Sequence, residues 1–281
     1  MSNKIQQLRK KFQYEQSKPT KSSKMSRNER KMLFKEERLN EILNILHQYG
    51  YATVEYLANT IHTSPSSIRR DLTVLENSGI VKRSYGGATL ILENNASPPF
   101  LLREQEKKKE KHLVVKIASE LLKEGDTIFM DASSTTMYLT DYLHHFENLT
   151  VITNNLKVAS QLGETNVKVY CTGGYMSEKP SVLTGPFAED MIKSMHTDWA
   201  FFSTQRFSAD GIITDCYEAQ TKIRSLMIKN AENKVYLCTA NKMGTHSLFR
   251  QCDMSEIDYV ISDKKLPETL MEKFSNVKFL Y

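Results

Sequence analysis

The sequence predicts a mixed α/β chain in two parts: a small winged helix-turn-helix, then a larger α/β domain on a mainly parallel sheet. Three observations predict this. Between Lys35 and Leu92, short amphipathic helical patterns lead into a hairpin around Gly86-Gly87. Beyond it, β-branched runs alternate with helical segments to the end of the chain. Charge divides along the same line, with 16 Lys and Arg against 8 Asp and Glu in residues 1–90 and 22 against 25 thereafter. A basic first third beside a mildly acidic remainder fits a nucleic-acid module joined to a domain with another task.

Apolar residues make up 40% of the 281 and charged residues 25%, ordinary composition for a chain with a packed core. No run approaches the roughly 20 apolar residues that cross a bilayer, and none succeeds the first lysines as a leader would. A cytoplasmic protein is the expectation. The four cysteines, Cys171, Cys216, Cys238 and Cys252, form no CxxC pair, and the seven histidines lack ligand spacing. Reduced thiols, no metal and no cofactor are therefore expected. Residues 1–31 carry too few apolar positions to offset the entropy of ordering and read as a disordered basic tail.

The DNA-binding region is expected over 32–92. Leu39, Ile42, Leu43 and Leu46 fall at i, i+3, i+4 and i+7, which predicts a helix ended by Gly50. Thr53 is placed to cap a second helix carrying Val54, Leu57 and Ile61. Ser64-Pro65 opens a third, because proline suits the first helical position, and Gly79 is placed to end it. On that third helix Ile68, Leu72 and Leu75 share one narrow arc, while Ser66, Arg69, Arg70 and Thr73 share the opposite one. An isolated Arg pair reads more often as a solvated face. Here the helices, the Ser-Pro entry and the Gly-Gly wing come together, and the basic face reads as a recognition surface for double-stranded DNA. Candidate DNA-binding residues are Ser64, Ser66, Ser67, Arg69, Arg70 and Thr73 on the helix, with Lys82, Arg83 and Tyr85 on the wing.

Residues 93–99 read as a linker and 100–281 as the α/β domain. A charged helix is expected over 101–122, with the run Lys107 to Lys111 as its solvated face. Strands are expected at Thr127–Met130, Thr150–Thr153, Val167–Cys171, Trp199–Phe202, Val235–Cys238 and Tyr259–Ser262. The first runs into Asp131-Ala132-Ser133-Ser134-Thr135-Thr136, ahead of a helical pattern at Met137, Leu139 and Leu143. Such a Ser/Thr cluster is usually a plain cap. At the carboxyl end of a strand in an open sheet, however, it reads as an anion site built from backbone N–H groups and hydroxyls. Asn154-Asn155, Gly173-Gly174 and Lys242 come after other strands and are candidates for the same edge.

Ile68-Arg69-Arg70-Asp71-Leu72 and the wing Gly86-Gly87-Ala88 resemble the DeoR-type regulators, and the similarity runs from about Lys35 to the C-terminus. It implies a regulator, usually a repressor, of a sugar-use operon, and a homo-oligomer is expected, since a two-fold dimer would set two recognition helices in successive major grooves. The resemblance implies also a sensor domain resembling the ribose-5-phosphate isomerase fold, with a phosphorylated sugar or related metabolite as effector. The stretches that match are Gly125-Asp126, Asp131 to Thr136, Thr153-Asn154, Gly173-Gly174, Gly185, Asp210-Gly211, Glu218, Lys222 and Lys242. The effector-binding candidates are thus Asp131, Ser133, Ser134, Thr135, Thr136, Asn154, Gly173, Gly174, Lys222 and Lys242. Three positions depart from the family pattern: Ser133 and Ser203, where glycine is common, and Thr239, where an Asp is. Two alternatives stand beside this reading. One is a regulator that no longer senses a small molecule. The other is an isomerase-like enzyme using Asp131, Asp210 or Glu218, against which stands the lack of any concentrated acid/base cluster in the sequence.

Overall fold

The computed structural model describes residues 35, 38–46, 49–77, 79–84, 86–91, 103–104, 106–176 and 181–281. The proposed tail, the linker and Tyr85 lie outside them. The chain divides into two compact units, Met1–Ile91 and Leu92–Tyr281.

In the first unit residues 38–46 are helical (α1) and bury Ile42, Leu43 and Leu46. The Gly50 amide then donates to the Leu46 carbonyl at 2.8 Å, and its φ of 72° turns the chain out of the helix. Next comes a strand absent from the sequence-based expectation, β1 (Tyr51–Thr53). The Thr53 side chain caps α2 (Val54–Thr60) by accepting from the Tyr56 amide at 3.1 Å. The third helix, α3 (Pro65–Asn77), buries Ile68, Leu72 and Leu75 as its periodicity predicts. The hairpin strands are β2 (Val81–Ser84) and β3 (Gly87–Leu90), in a sheet of order β1-β3-β2. Gly87 has to be glycine: a Cβ there would stand 2.4 Å from the Ala52 carbonyl of the neighbouring strand.

The second unit is a seven-stranded parallel sheet of order β15-β14-β12-β9-β4-β5-β6. Its strands are β4 (Thr127–Met130), β5 (Thr150–Thr153), β6 (Lys168–Cys171), β9 (Thr197–Phe202), β12 (Ala231–Cys238), β14 (Tyr259–Ser262) and β15 (Lys278–Leu280). Alternate residues serve opposite faces. Ile128 and Met130 join Val114, Phe201 and Leu237 in one apolar cluster, while Phe129 joins Ile152, Ile192 and Met227 in another. Two small antiparallel sheets add to the expected architecture: β7 (Tyr175–Met176) with β8 (Leu183–Thr184), and β10 (Arg206–Phe207), β11 (Ile212–Asp215) and β13 (Phe249–Asp253) in the order β10-β11-β13.

The sheet order places the site. From β4 the chain moves outward through β5 and β6, then returns to the other side of β4 at β9. The carboxyl ends of β4 and β9 therefore flank the switch point of the winding, where open α/β sheets leave a crevice.

The charged helix is shorter than the expected 101–122. It is α4 (Lys108–Ser119), preceded by Lys107 in the left-handed region at φ 55° and ψ 39°. The reading of Lys107 to Lys111 as a solvated face is corrected in part. Lys107, Lys108 and Lys109 are exposed, but Lys111 is only 4% exposed and lies on the buried face with Val114, Val115 and Ala118. Residues three, four and seven positions apart fall on one side of a helix, so the three apolar residues carry Lys111 inward with them.

Candidate functional site

The recognition face comes first. Ser64 precedes α3 and organises its first turn: its hydroxyl lies 2.9 Å from those of Ser66 and Ser67 and accepts from the Ser67 amide at 3.2 Å. Ser64, Ser66, Arg69, Arg70 and Thr73 are exposed and Ser67 is partly so. Arg70 curls along the helix, its Nε donating to the Ser66 carbonyl at 3.3 Å and an Nη to the Ser67 hydroxyl at 3.4 Å. The wing joins this face through Arg83, whose Nη1 donates to the Thr73 hydroxyl at 2.9 Å and whose amide donates to Glu76 at 3.2 Å. Lys82 is exposed on the same strand. Asp71, between the arginines and Leu72, points the other way: it is buried and accepts from both Nε and Nη2 of Arg38. The motif thus serves two ends. Its arginines face outward, and its aspartate ties α3 to α1.

In the second unit a cavity of about 140 Å³ opens at the switch point, many times the roughly 10–15 Å³ that one water needs. Three strand ends line it: Ser133, Ser134 and Thr135 after β4, Ser203 to Arg206 after β9, and Thr239, Asn241 and Lys242 after β12. Two further walls go beyond the residues the sequence singles out. One is the stretch that carries Arg103, Glu106, Lys107 and Lys111. The other is Asp215 with Gln220 and Arg224, the last two on α5 (Glu218–Lys229).

Six cations line this cavity against two carboxylates, Glu106 and Asp215. Asp215 is already engaged, 3.3 Å from Arg224. Burial, with Lys242 and Arg103 close by, pushes the Lys111 ammonium down to about 7. Burial likewise lowers Lys242 to about 8, with Arg103 adding to the effect. Lys242 donates to the Ser203 hydroxyl at 2.8 Å, and Lys111 to the Ser134 hydroxyl at 3.2 Å and to the main-chain carbonyl of Arg103. The Thr135 hydroxyl is buried with no hydrogen-bond partner among the described residues. A cluster of partly discharged ammonium groups beside an unmet hydroxyl is arranged to take an anion.

Asp131 holds this wall in place without lining the cavity. It is 2% exposed and accepts from Arg224 Nε at 2.9 Å, the Thr136 hydroxyl at 2.7 Å, and the amides of Ser133 and Ser203 at 3.2 and 3.4 Å. Arg224 also donates to Gln251 at 2.8 Å. Burial opposes its charge, but Asp215 and Asp131 outweigh that and hold the guanidinium above its ordinary value. Thr136 is fully buried and does not line the cavity, bonding instead to Asp131 and to Ser133 at 2.8 Å. The turn after the cluster is a 3-10 helix, Thr136–Leu139, not the α-helical N-terminus expected.

Several expected effector residues do not reach the cavity. Asn154 comes after β5 and donates to the Leu183 carbonyl at 2.9 Å. Gly173 and Gly174 come after β6, with Gly174 against the Thr184 backbone, where a Cβ would stand 2.3 Å from the carbonyl oxygen. These strands lie on the far side of β4 from the switch point. Lys222 projects outward, 64% exposed, and pairs with Glu189 at 2.8 Å. Two residues along a helix reverse a side chain's direction, so it is Gln220 and Arg224 that turn inward. The carboxylates considered for proton transfer do not converge either: Asp131 is tied to Arg224, Asp210 pairs with Lys273 at 3.8 Å, and Glu218 is exposed.

The pattern of a DeoR-like helix-turn-helix domain matches residues 38–94, and that of a DeoR C terminal sensor domain matches 106–264. The chain belongs to the DeoR family of transcriptional regulators. The HTH-type transcriptional regulator GolR of Listeria innocua is 34% identical over 87% of this chain and 96% of its own length. The L-fucose operon activator of Haemophilus influenzae is 31% identical over 82% and 93%, and the glycerol-3-phosphate regulon repressor of Escherichia coli 25% identical over 84% and 94%. Ribose 5-phosphate isomerase A from Methanocaldococcus jannaschii overlaps partially, at 14% identity and a TM-score of 0.38, over 49% of this chain and 55% of that one. As a DeoR-family member the chain is a DNA-binding transcriptional regulator with a small-molecule sensor domain, not an enzyme. Among the described residues no helix is long and apolar enough to cross a membrane, and no group of metal-binding side chains occurs.

Proposed function

We propose that this DeoR-family regulator is a repressor that binds an operator through α3 and the wing, and that a phosphorylated sugar or related anionic metabolite in the switch-point cavity controls it. The observation that carries the reading is the cavity's charge, six cations facing two carboxylates with one carboxylate already paired. A neutral sugar would leave the buried ammonium groups uncompensated, whereas a phosphate gives each a charge-assisted acceptor. Asn241, Gln205 and Gln220 line the same cavity and offer amides for sugar hydroxyls. Two relatives, named for a glycerol-3-phosphate regulon and a fucose operon, support a sugar-linked role.

Within this reading, Ser64, Ser66, Ser67, Arg69, Arg70, Thr73, Lys82, Arg83 and Tyr85 face DNA. Ser133, Ser134, Thr135 and Lys242 hold the effector, joined by Arg103, Lys111 and Arg224. Domains at 32–92 and 100–281 joined by a linker at 93–99 fit it, as does action in the cytoplasm, where the DNA is. A homo-oligomer with two-fold symmetry presents two recognition helices to successive major grooves, so the operator carries half-sites separated by whole helical turns. The test is binding of the full chain to its own promoter DNA, measured by anisotropy at fixed salt while sugar phosphates are added. Sequence-specific binding weakened by one of them is the expected result. Specific binding indifferent to all of them would favour a regulator that has lost sensing.

A further inference from the structure

We infer that an anion entering the cavity takes the Lys111 ammonium and the Ser134 hydroxyl away from the main-chain carbonyl of Arg103, and so resets the stretch 103–111 by which the chain enters the α/β unit. The inference rests on the reading that the cavity takes an anion. It adds the step by which binding changes the protein.

Among the described residues, four ties at Arg103 and Glu104 help to hold this stretch, beside the Lys108 ammonium 5.9 Å from the centre of the Tyr138 ring. The Arg103 carbonyl accepts from Lys111 Nζ and from the Ser134 hydroxyl at 3.3 Å. The next carbonyl, of Glu104, accepts from the Tyr138 hydroxyl at 2.7 Å, and the Glu104 side chain pairs with Lys157 at 3.0 Å. Two of the four come from groups that also line the cavity, Lys111 and Ser134. The same donors thus serve a backbone carbonyl now and an anion once one arrives. A phosphate oxygen is the stronger acceptor for both: it adds attraction between opposite charges to the ammonium's bond, and it replaces the neutral bond of the Ser134 hydroxyl with a charge-assisted one about twice as strong.

The stretch also meets the cavity directly. Its Arg103 side chain lines the cavity, so the anion that releases the carbonyl attracts the guanidinium of the same residue. At its centre Lys107 is held left-handed, a conformation L side chains rarely adopt, with no side-chain cap to fix it. Lys107 and Glu106 line the cavity as well. Binding therefore acts on one element at four places. In the chain that element continues directly from residues 92–102, the segment after the DNA-binding unit. A ligand shifts an equilibrium only by the difference in its affinity for two states, and the exchange of carbonyl for anion at Lys111 supplies that difference.

The test uses the full chain with inorganic phosphate as the probe, read by thermal stabilisation and by hydrogen exchange of peptides spanning 103–111 and 131–137. Phosphate is expected to stabilise the protein, to speed exchange in 103–111 severalfold and to slow it in 131–137, all with one midpoint. Tyr138→Phe removes a tie that lies outside the cavity. In that variant exchange in 103–111 should already be faster without phosphate, and phosphate should bind severalfold more tightly. Stabilisation by phosphate with unchanged or slower exchange in 103–111 would overturn the switch while leaving the anion site standing. A Tyr138→Phe variant with the parent's exchange and affinity would overturn it as well. No stabilisation at any phosphate concentration would remove the anion reading and the switch together.

Discussion

Among the described residues two cationic sites differ in how much water they keep. Arg69 and Arg70 stand exposed on α3, whereas Arg103, Lys111 and Arg224 are buried around the cavity of the second unit. Exposed arginines keep their hydration and cost the fold nothing while they await phosphates. Buried cations have lost theirs and must be paired, partly discharged, or met by a ligand. Arg224 is paired, with Asp131 and Asp215, and Lys111 is partly discharged. The first surface can therefore be altered without touching the fold, and the second cannot be altered uniformly.

The largest expected effect comes from Arg224. Its replacement by Met strands two buried carboxylates and should cost about 3–5 kcal/mol of unfolding free energy, read by denaturant titration. If Arg224→Met unfolds like the parent, the buried pairing is not what holds the cavity wall. Next come the recognition arginines. Arg69→Ala or Arg70→Ala should lose about 1–3 kcal/mol of operator affinity if the residue reads a base, and weaken all sequences equally if it holds a phosphate. Either should leave unfolding within about 0.5 kcal/mol of the parent. Loss of fold in these variants would erase the contrast between the two surfaces. Gly87→Ala tests the wing: with the Ala52 carbonyl in the way, β1 and β3 must separate, at about 1–3 kcal/mol.

The remaining effect is on pH. An anion bound beside Lys111 and Lys242 raises both ammonium groups from about 7 and about 8, so the complex binds more protons than the free protein. Affinity should be full below pH 7 and fall as pH rises through 7 and 8, by up to about tenfold per unit for each proton taken up. Below about pH 6 the phosphate ester itself takes a proton, and affinity should fall again. Stability of the ligand-free protein runs the opposite way. With the folded value of Lys111 depressed, the unfolded state binds more protons, so stability contributed by this group rises as pH climbs from about 7. Calorimetry in two buffers of different ionisation heat reads the proton uptake directly.

The first unit is the more legible in the sequence, because its cues are local. Gly50, Thr53, Ser64-Pro65 and Gly79 each mark a helix boundary within a few residues of the pattern they end or begin. The exception is β1, three residues made a strand by pairing with β3, Tyr51 with Thr89, Ala52 with Ala88 and Thr53 with Gly87. In the second unit six of the seven parallel strands are visible as β-branched or aromatic runs, but the edge strand β15 is too short to stand out. The cavity is half legible. Ser133 to Thr135 and Lys242 can be read because they come after strands, yet Asn154 and Gly173 do too and lie elsewhere, since strand order decides which ends meet. Lys111 is hidden in a charged run. The signal that separates it from its neighbours is that it lies in register with Val114, Val115 and Ala118 on the helix. The sequence draws attention to Lys222 rather than Arg224, although the buried Ile223 and Met227 of the same helix set the face on which Gln220 and Arg224 also fall.

Coupling between the cavity and DNA is tested most directly by titrating promoter DNA with parent and Lys111→Met protein, at one salt concentration, with and without a sugar phosphate that acts on the parent. Without the sugar phosphate the parent should bind DNA more tightly than Lys111→Met, which has already lost the tie to the Arg103 carbonyl. With the sugar phosphate present the parent should weaken markedly, and Lys111→Met should change little or not at all. A Lys111→Met protein that responds like the parent would refute control of DNA binding through the buried cations.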